Sequence, residues 1–321
     1  MNNDNVVELN KIISIFFQYF DFVDEYTKKI KDKKIENKIH FKEKNQKFTD
    51  LDYLTQKLIE NVFKKYFPFI NIIGEEDTSI DIDIDLKNNE LLNKEKDFNI
   101  NKNYFNEFND FDIKISKNDN ITLFLDPIDA TNQLIKNNFV PVTMLLGICI
   151  NEKPFLGFIH YVTEEENKHK NITYFNYPKK GIFSYLNNKI EKISIKNQNL
   201  NNWNFIISSS RAKPKMIEFI NKFPNSNYIQ DNGLGNKAIK VILNDLIYFS
   251  TGKNTVGLWD ICSSDAIAHE IGGGIFNLEG NEIKYEAKKE YVQDEIFLIN
   301  NKERINLFLE NVKKYRNLID N

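Results

Sequence analysis

The stretch that decides the fold is Asp126-Pro127-Ile128-Asp129-Ala130-Thr131, which directly follows the apolar run ITLFL at 121–125. The run predicts a strand that brings Asp126 to the edge of a sheet. Pro127 fixes its own φ and prevents a helix from starting early, so Asp129 can turn back toward the same point. The next peptide N–H groups would open a helix toward an anion. The stretch therefore predicts a site for a divalent cation and a phosphate.

Each acidic motif has an ordinary alternative when it is taken alone. Asp before Pro is typical of a turn, and Asp or Thr often caps the helix that follows. Glu75-Glu76-Asp77 alone is typical of a solvated loop, and Asp260 alone is typical of a helix N-cap. The three motifs together, each at the end of a predicted strand or short apolar run, favour one shared site. Carboxylates without His or Cys suit a hard cation such as Mg²⁺.

Length and charge limit the classes of function. A chain of 321 residues can bury the core of one large domain or of two small domains that share an interface. The net charge of -3 argues against a protein built to bind a nucleic-acid backbone, because such proteins usually carry a basic face. Cys149 and Cys262 are too few for a disulfide framework or a zinc cluster. We therefore expect a cytoplasmic location and no nucleic-acid partner.

The amino-terminal 26 residues predict an amphipathic helix that packs on the core. The apolar run IISIFF at 12–17 is too short for a membrane span, and the acidic residues around it are not typical of a signal peptide. No other segment approaches the roughly 18 uninterrupted apolar residues that a span requires. We therefore expect no membrane partner.

The predicted helices and strands indicate an α+β or α/β chain, and we expect an α+β half at 1–200 and an α/β half at 201–321. The predicted helices cover 51–67, 215–223, 236–243 and 261–271, and the predicted strands cover 69–73, 121–125, 142–150, 155–161, 205–207, 246–249 and 275–278. The stretch 78–120 has no sustained period and is interpreted as a mobile, low-complexity insertion. It could also be a lid or a partner site.

Three other motifs do not support a function. Residues 81–85 imitate the opening of a calcium loop, but Leu86 and Leu92 replace the required Gly and Glu. The motif Gly233-Leu234-Gly235 lacks the third glycine of a dinucleotide-binding loop. The serines at 208–210 have no nearby His to act as a base, and His269 is interpreted as a surface or packing residue.

The order and approximate spacing of several motifs resemble those of the magnesium-dependent, lithium-sensitive phosphatase superfamily, which includes inositol monophosphatases. They are Asp52 within TDLD at 49–52, GEED at 74–77, DPIDAT at 126–131, GLGNK at 233–237, WD at 259–260 and GGG at 272–274. Within the superfamily, IIGEED at 72–77, GNK at 235–237 and GN at 280–281 are most similar to 3'(2'),5'-bisphosphate nucleotidase. The stretches 126–135 and 272–275 are also similar to inositol polyphosphate 1-phosphatase.

The resemblance implies a layered αβαβα fold with the active site between its two halves. It also implies two or three bound Mg²⁺ ions and inhibition by Li⁺. One ion would be held by Glu75, Asp126 and the Ile128 carbonyl, and the second by Asp126, Asp129 and Asp260. Thr131 would orient or deprotonate the attacking water with the support of Asp52 or Glu75. Glu76 would act through water or at the third ion.

The resemblance also implies substrate contacts, and here the chain departs from the family. The implied contacts are Ala130, Thr131, Ser210, Arg211, Lys213, Gly235 and Lys237. Ala130 stands where the family often has Gly, which is tolerable if its φ stays negative. Ala212 and Lys213 stand where the nucleotidase has Ser and His. Arg211 either recognises the substrate or pairs with a structural carboxylate.

The expected function is a cytosolic Mg²⁺-dependent phosphomonoesterase acting on a small bisphosphorylated metabolite. The first candidate substrate is 3'-phosphoadenosine 5'-phosphate, with release of its 3' (or 2') phosphate. The alternatives are inositol 1,4-bisphosphate and inositol monophosphate. A further alternative is a catalytically idle homologue that binds a metabolite or a protein. The expected assembly is a monomer or a homodimer.

Overall fold

The secondary structure comes from a computed structural model that describes residues 5–42, 46–80, 82–105, 111–162, 171–195 and 202–319. The helices are α1 Leu9–Lys31, α2 Asp50–Tyr66, α3 Thr131–Ile135, α4 Pro214–Ile220, α5 Leu234–Leu243, α6 Leu258–His269 and α7 Lys302–Tyr315, with 3₁₀ turns at Leu92–Asp97 and Arg316–Leu318. The strands are β1 Val6–Glu8, β2 Ile39–Phe41, β3 Lys47–Thr49, β4 Asn71–Gly74, β5 Lys114–Ser116, β6 Ile121–Asp129, β7 Thr143–Ile150, β8 Lys153–Tyr161, β9 Thr173–Tyr177, β10 Gly181–Leu186, β11 Lys189–Lys192, β12 Trp203–Ser208, β13 Ser226–Asp231, β14 Ile247–Ser250, β15 Gly274–Asn277 and β16 Ile296–Ile299.

Two sheets organise the chain. The larger has seven strands in the order β11-β10-β9-β8-β7-β6-β4, and its consecutive strands are antiparallel except for the parallel pair β4–β6. The smaller has five strands in the order β13-β12-β14-β16-β15, and β12 runs parallel to both of its neighbours. Parallel neighbours need a crossover, and α4 and α5 supply the crossovers in the smaller sheet.

The helices and sheets stack in five layers. Helices α1 and α2 cover one face of the seven-stranded sheet through an aromatic core that includes Phe16, Phe63 and Phe158. Helices α5 and α6 lie between the two sheets, and α4 and α7 cover the outer face of the five-stranded sheet. This order of layers confirms the expected αβαβα architecture. No helix among the described residues is long and apolar enough to cross a membrane.

Helix α6 is buried on all sides, as an apolar helix between two sheets must be. It approaches the larger sheet closely because β7 and β8 carry glycines where they meet it. A Cβ at Gly147 would lie 2.6 Å from the Cys262 sulfur, and a Cβ at Gly157 would lie 2.1 Å from the Ser263 carbonyl oxygen. Both neighbours belong to α6, so the two glycines set its position.

Strand β6 continues further than the sequence predicts. The expected turn at Pro127 lies inside the strand, which extends to Asp129. Proline is tolerated there because the pairing with β7 is irregular between Asp126 and Asp129. Sequence patterns do not predict β16 and α7, whose apolar residues complete the core between the smaller sheet and its outer helices.

The described residues of 78–120 pack on the core, which the interpretation of this segment as a mobile, low-complexity insertion does not predict. Strand β5 pairs with β1, and several aromatic and aliphatic side chains of the segment lie in the core under α1. These buried residues are Leu91, Phe98, Phe105, Phe111 and Ile115. The segment lacks a sequence period because it packs through irregular turns. Residues 81 and 106–110 lie outside the described part, as do residues 1–4 of the predicted amino-terminal helix.

The division at residue 200 stays a prediction. All strands of the larger sheet precede it and all strands of the smaller sheet follow it. However, one hydrophobic cluster contains Leu145 and Ile159 of the larger sheet together with Ile206 and Leu298 of the smaller one. The two halves therefore share a core.

We expect Phe105→Ala to destabilise the protein by about 3 kcal/mol, because it removes a buried ring that contacts Phe17 and Tyr177. Urea unfolding measures the change. The control is Phe41→Ala, whose ring is 65% exposed and whose loss should cost no more than about 0.5 kcal/mol. Equal effects of the two substitutions would contradict a core role for the 78–120 segment.

Candidate active site

Three carboxylates from distant parts of the chain meet at one end of the larger sheet. Glu75 follows β4, Asp126 lies in β6 and Asp260 lies in the first turn of α6, and one oxygen of each lies within 4.8 Å of the others. The parallel pairing of Gly74 with Leu125 places Glu75 beside Asp126, and the Glu75 N–H donates to the Leu125 carbonyl at 3.1 Å. We refer to Glu75, Asp126 and Asp260 as the carboxylate cluster.

Asp260 reaches the cluster from inside a helix. The sequence predicts a helix from residue 261 with Asp260 before it, but α6 begins at Leu258. Asp260 is therefore the third helical residue, and its carboxylate accepts the N–H of Gly257 at 2.7 Å. A carboxylate in the first turn of a helix interacts favourably with the helix dipole. The prediction of a strand end or N-cap at this position is wrong.

Asp129 lies next to the cluster, but its oxygens are not among those that lie within 4.8 Å of one another. Its Oδ2 accepts the Gly235 N–H at 2.7 Å and the Thr143 hydroxyl at 3.1 Å. Gly235 is expected to contact the substrate, but its N–H donates to Asp129. A Cβ at Gly235 would lie 2.4 Å from the Thr143 hydroxyl oxygen, so glycine allows β7 and α5 to hold Asp129 together.

Ala130 adopts a left-handed backbone conformation, with a φ of 70°. The condition under which an alanine would be tolerated without strain, a negative φ, is therefore not met. A non-glycine residue costs roughly 1–2 kcal/mol in this region because its Cβ crowds the following carbonyl. The strain falls where β6 gives way to α3, a helix of 5 residues that starts at Thr131.

Thr131 and Asp52 form a hydrogen-bonded pair beside the cluster. The Thr131 hydroxyl lies 2.9 Å from Asp52 Oδ1 and 2.9 Å from the Ile128 carbonyl, and its single proton can serve one acceptor at a time. Asp52 is 1% exposed and also accepts the backbone N–H of Thr49 at 2.8 Å and its hydroxyl at 2.5 Å. Burial raises the pKa of Asp52 to about 6, although the bonds from Thr49 oppose the rise.

Glu76 lies outside the cluster and pairs with a lysine. Its Oε1 lies 2.5 Å from Lys42 Nζ, which is also 3.5 Å from Glu75. The Gln56 amide holds the Glu76 backbone, because it accepts the N–H at 2.9 Å and donates to the carbonyl at 2.6 Å. Burial, then the charges of Asp52 and Glu75, raise the pKa of Glu76 to about 8. Lys42 is not predictable as a site residue, because it belongs to no recognisable sequence motif.

The cluster is electrostatically unfavourable without a cation. Burial is the main reason that the pKa of Asp126 lies well above its usual value, and repulsion from Glu75, Asp129 and Asp260 adds to it. Burial and repulsion from Glu75 and Asp129 likewise raise the pKa of Asp260 to about 8. A buried set of oxygen ligands with surplus negative charge fits a hard divalent cation.

The expected substrate contacts are only partly near the cluster. Lys237 is buried, and its ammonium group donates to the Gly233 carbonyl at 2.7 Å and lies 5.6 Å from the centre of the Tyr248 ring. Burial lowers the pKa of Lys237 to about 8, against the opposing charge of Asp129.

Arg211 donates to the Thr255 carbonyl at 3.0 Å. Among the described residues, Arg211 does not form an ion pair with a carboxylate, which was the expected alternative. Its positive charge opposes the rise in the pKa of Asp260 that burial and the neighbouring carboxylates cause. Ser210 lies 3.3 Å from Ser208, and Lys213 is an exposed residue that precedes α4. Neither has a contact with the cluster among the described residues.

The residues set aside in the sequence analysis have structural roles. His269 contacts Asp265 at 2.9 Å, and Asp265 also accepts the Tyr285 hydroxyl at 2.8 Å. Cys149 and Cys262 are buried free thiols. Gly233 has a φ of 71°, which suits the turn before α5.

The chain is similar to known proteins in sequence and in fold. The chain is 27% identical to 3'(2'),5'-bisphosphate nucleotidase 1 of Dictyostelium discoideum over 88% of both chains. It is 24% identical to inositol monophosphatase 3 of Xenopus tropicalis over 88% of this chain and 75% of that one. A crystal structure of IMPase/NADP phosphatase complexed with Mg²⁺ and phosphate has the same fold, with a TM-score of 0.60, 16% identity and coverage of 91% of this chain and 94% of that one.

A family model covers almost the whole chain. The model of the inositol monophosphatase family matches residues 9–315, which include every residue of the carboxylate cluster together with Asp52, Asp129 and Thr131. The fold, the carboxylate site and this match lead to one conclusion. The chain belongs to the inositol monophosphatase family of phosphatases.

Proposed function

We propose that this chain is a Mg²⁺-dependent phosphomonoesterase that removes the 3' (or 2') phosphate from bisphosphate nucleotides such as 3'-phosphoadenosine 5'-phosphate. The observation that carries the proposal is the carboxylate cluster, whose three oxygens lie within 4.8 Å of one another beside the Thr131–Asp52 pair. The nucleotidase of Dictyostelium discoideum, similar over 88% of this chain, supports the substrate class.

The oxygen ligands of the carboxylate cluster suit Mg²⁺, and we propose that two ions bind there. Glu75, Asp126 and the Ile128 carbonyl would hold one, and Asp126, Asp129 and Asp260 would hold the other, while Glu76 would serve a weaker third site. All of these ligands are oxygens, as Mg²⁺ prefers. When bound, a pair of such ions lowers the pKa of an attacking water and offsets the charge that develops on the leaving oxygen.

Thr131 and Asp52 would move the proton of the attacking water. The Thr131 hydroxyl donates to Asp52 Oδ1, which leaves its lone pairs free to accept a proton from water. The proton of Thr131 then passes to Asp52. The pKa of Asp52, raised to about 6 by burial, makes it a stronger base than an ordinary carboxylate. Thr49 keeps Asp52 oriented throughout.

Two cationic side chains near the cluster suit a substrate with a second phosphate. Arg211 and Lys237 lie on the side of the site formed by the smaller sheet and α5, and both interact electrostatically with Asp260. A guanidinium group is well shaped for a phosphate, and an ammonium group acts as a point charge. Lys213 would add charge at the outer edge.

A second candidate is hydrolysis of inositol phosphates. The relative from Xenopus tropicalis is named an inositol monophosphatase, and Ala212 with Lys213 departs from the nucleotidase pattern.

The deciding experiment measures phosphate release by the purified protein. The substrates are 3'-phosphoadenosine 5'-phosphate, inositol 1,4-bisphosphate and inositol 1-phosphate, each with Mg²⁺, with EDTA and with added Li⁺. We expect the highest kcat/KM for the nucleotide, loss of activity in EDTA and inhibition by Li⁺. A higher kcat/KM for an inositol phosphate would select the second candidate. No activity on any phosphoester would support an idle homologue.

We expect Asp129→Asn to lower kcat/KM by several orders of magnitude without unfolding the protein. The asparagine keeps a carbonyl oxygen that can accept from Gly235 and Thr143, and it removes one negative charge from beside Asp126. Kinetics and thermal melting measure the two effects. The control, Asp83→Asn, alters a carboxylate that is 98% exposed and should change neither. Unfolding of Asp129→Asn at ordinary temperature would favour a structural role for the acidic site.

We expect the metal-free protein to lose stability as pH rises from about 4 to about 8. Raised pKa values, about 6 for Asp52 and about 8 for Glu76 and Asp260, mean that the folded state binds more protons than the unfolded chain in this range. The free energy of unfolding therefore falls as pH rises. Mg²⁺ should reverse the loss, because its ligands are then ionised.

Melting curves in EDTA and in Mg²⁺ at about pH 5 and about pH 8 test this prediction. His269, whose pKa is raised to about 9, contributes to both curves, so the difference between them isolates the acidic site. The rise in Tm with Mg²⁺ should be larger at the higher pH. An equal rise at both pH values would contradict the predicted charge repulsion.

A further inference from the structure

Tyr291 is a solvent-exposed aromatic residue whose backbone is fixed to the entrance of helix α6. Its backbone forms an antiparallel bridge with Gly257. On either side, Leu258 N–H donates to the Glu290 carbonyl at 2.8 Å, and Val292 N–H donates to the Val256 carbonyl at 2.9 Å. These bonds tie Tyr291 to the segment that leads directly to Asp260.

Among the described residues, the ring of Tyr291 packs against one other aromatic side chain. It makes an edge-to-face contact with the Trp259 indole, with ring centres 5.3 Å apart and planes at 70°. Trp259 is 5% exposed and fills the space over Gly257, where a Cβ would lie 2.3 Å from the indole. Tyr291 itself is 38% exposed, and no described residue hydrogen-bonds its hydroxyl. The ring is therefore held in place while much of it faces outward.

Tyr291 also lies close to the carboxylate cluster. Gly257, whose backbone bridges to Tyr291, donates its N–H to the Asp260 carboxylate at 2.7 Å. Burial and then the negative charges of Glu290, Glu75 and Asp260 raise the pKa of the Tyr291 hydroxyl, and Lys42 opposes this rise. One peptide bond joins Trp259, which supports the ring, to Asp260, which belongs to the cluster. The exposed ring is thus at the rim of the site that would hold the reacting phosphate.

Other exposed aromatic side chains serve as a comparison. Tyr228 is 40% exposed but belongs to β13, the edge strand of the smaller sheet. Phe41 lies on β2 and interacts with the ammonium group of Lys47. Tyr291 combines exposure, an anchored backbone and a position beside the cluster.

We propose that Tyr291 determines specificity by stacking on the base of a nucleotide whose phosphate ester is cleaved at the carboxylate cluster. The proposal rests on the proposed function and deepens it. An exposed aromatic ring offers a flat face to any nucleobase, and such stacking contributes measurably to binding. The sugar and phosphates of the substrate do not offer a π face, so the ring selects substrates that carry a base.

The test compares one substrate that has a base with one that lacks it. The pair is 3'-phosphoadenosine 5'-phosphate and ribose 3,5-bisphosphate, assayed with Mg²⁺. Tyr291→Leu keeps apolar bulk and removes the ring, and Tyr291→Phe keeps the ring and removes the hydroxyl. Tyr228→Leu is the matched control for loss of an exposed tyrosine.

Tyr291→Leu should lower kcat/KM for the nucleotide by roughly 10-fold or more, mainly through KM, and leave kcat/KM for the baseless substrate within about twofold. Tyr291→Phe and Tyr228→Leu should keep the wild-type ratio of the two values. If Tyr291→Leu leaves the ratio of the two kcat/KM values unchanged, either because both fall equally or because neither falls, the stacking role is overturned.

Failure of the proposed function gives a different result. A wild-type protein that hydrolyses inositol phosphates and not the nucleotide would overturn both the nucleotide substrate and the role of Tyr291. A wild-type protein that prefers the nucleotide, with a ratio unaffected by Tyr291→Leu, would overturn the role of Tyr291 alone.

Discussion

The close approach of helix α6 to the larger sheet is the constraint on which the site depends. The helix can lie against β7 and β8 because Gly147 and Gly157 have no side chains, and a Cβ at Gly157 would lie 2.1 Å from a backbone oxygen of Ser263. A backbone atom cannot move aside as a flexible side chain can. Any larger residue there would push α6 away and separate Asp260 from Asp126 and Glu75.

The layers around this contact offset an unfavourable charge arrangement. Buried carboxylates that repel one another favour unfolding at neutral pH unless a cation neutralises them. The left-handed Ala130 adds strain at the same place. Aromatic clusters on the outer faces of both sheets supply burial that does not depend on the cation. Much of the stability of the fold therefore does not depend on a bound ion.

Much of the secondary structure is predictable, because local patterns determine it. Helix α2 occupies Asp50–Tyr66 where the periodicity predicts 51–67, and Pro68 ends it. The buried strands β7 and β8 also match their apolar runs. The 78–120 segment does not, because irregular turns bury its aromatic residues without a repeating pattern. The start of α6 is not predictable, because its N-cap residue is Gly257, which has no side chain to mark it as a cap.

The sequence by itself determined which residue types could form the site and in what order they occur: Glu75, Asp126, Asp129 and Asp260, with Thr131 and Asp52 beside them. Only the tertiary structure decided that three of the carboxylates converge, that the Gly235 N–H serves Asp129, and that Tyr291 stands at the rim. These residues lie far apart in the chain. Their distances, burial and pKa values depend on how sheets and helices pack, which no local pattern of side chains records.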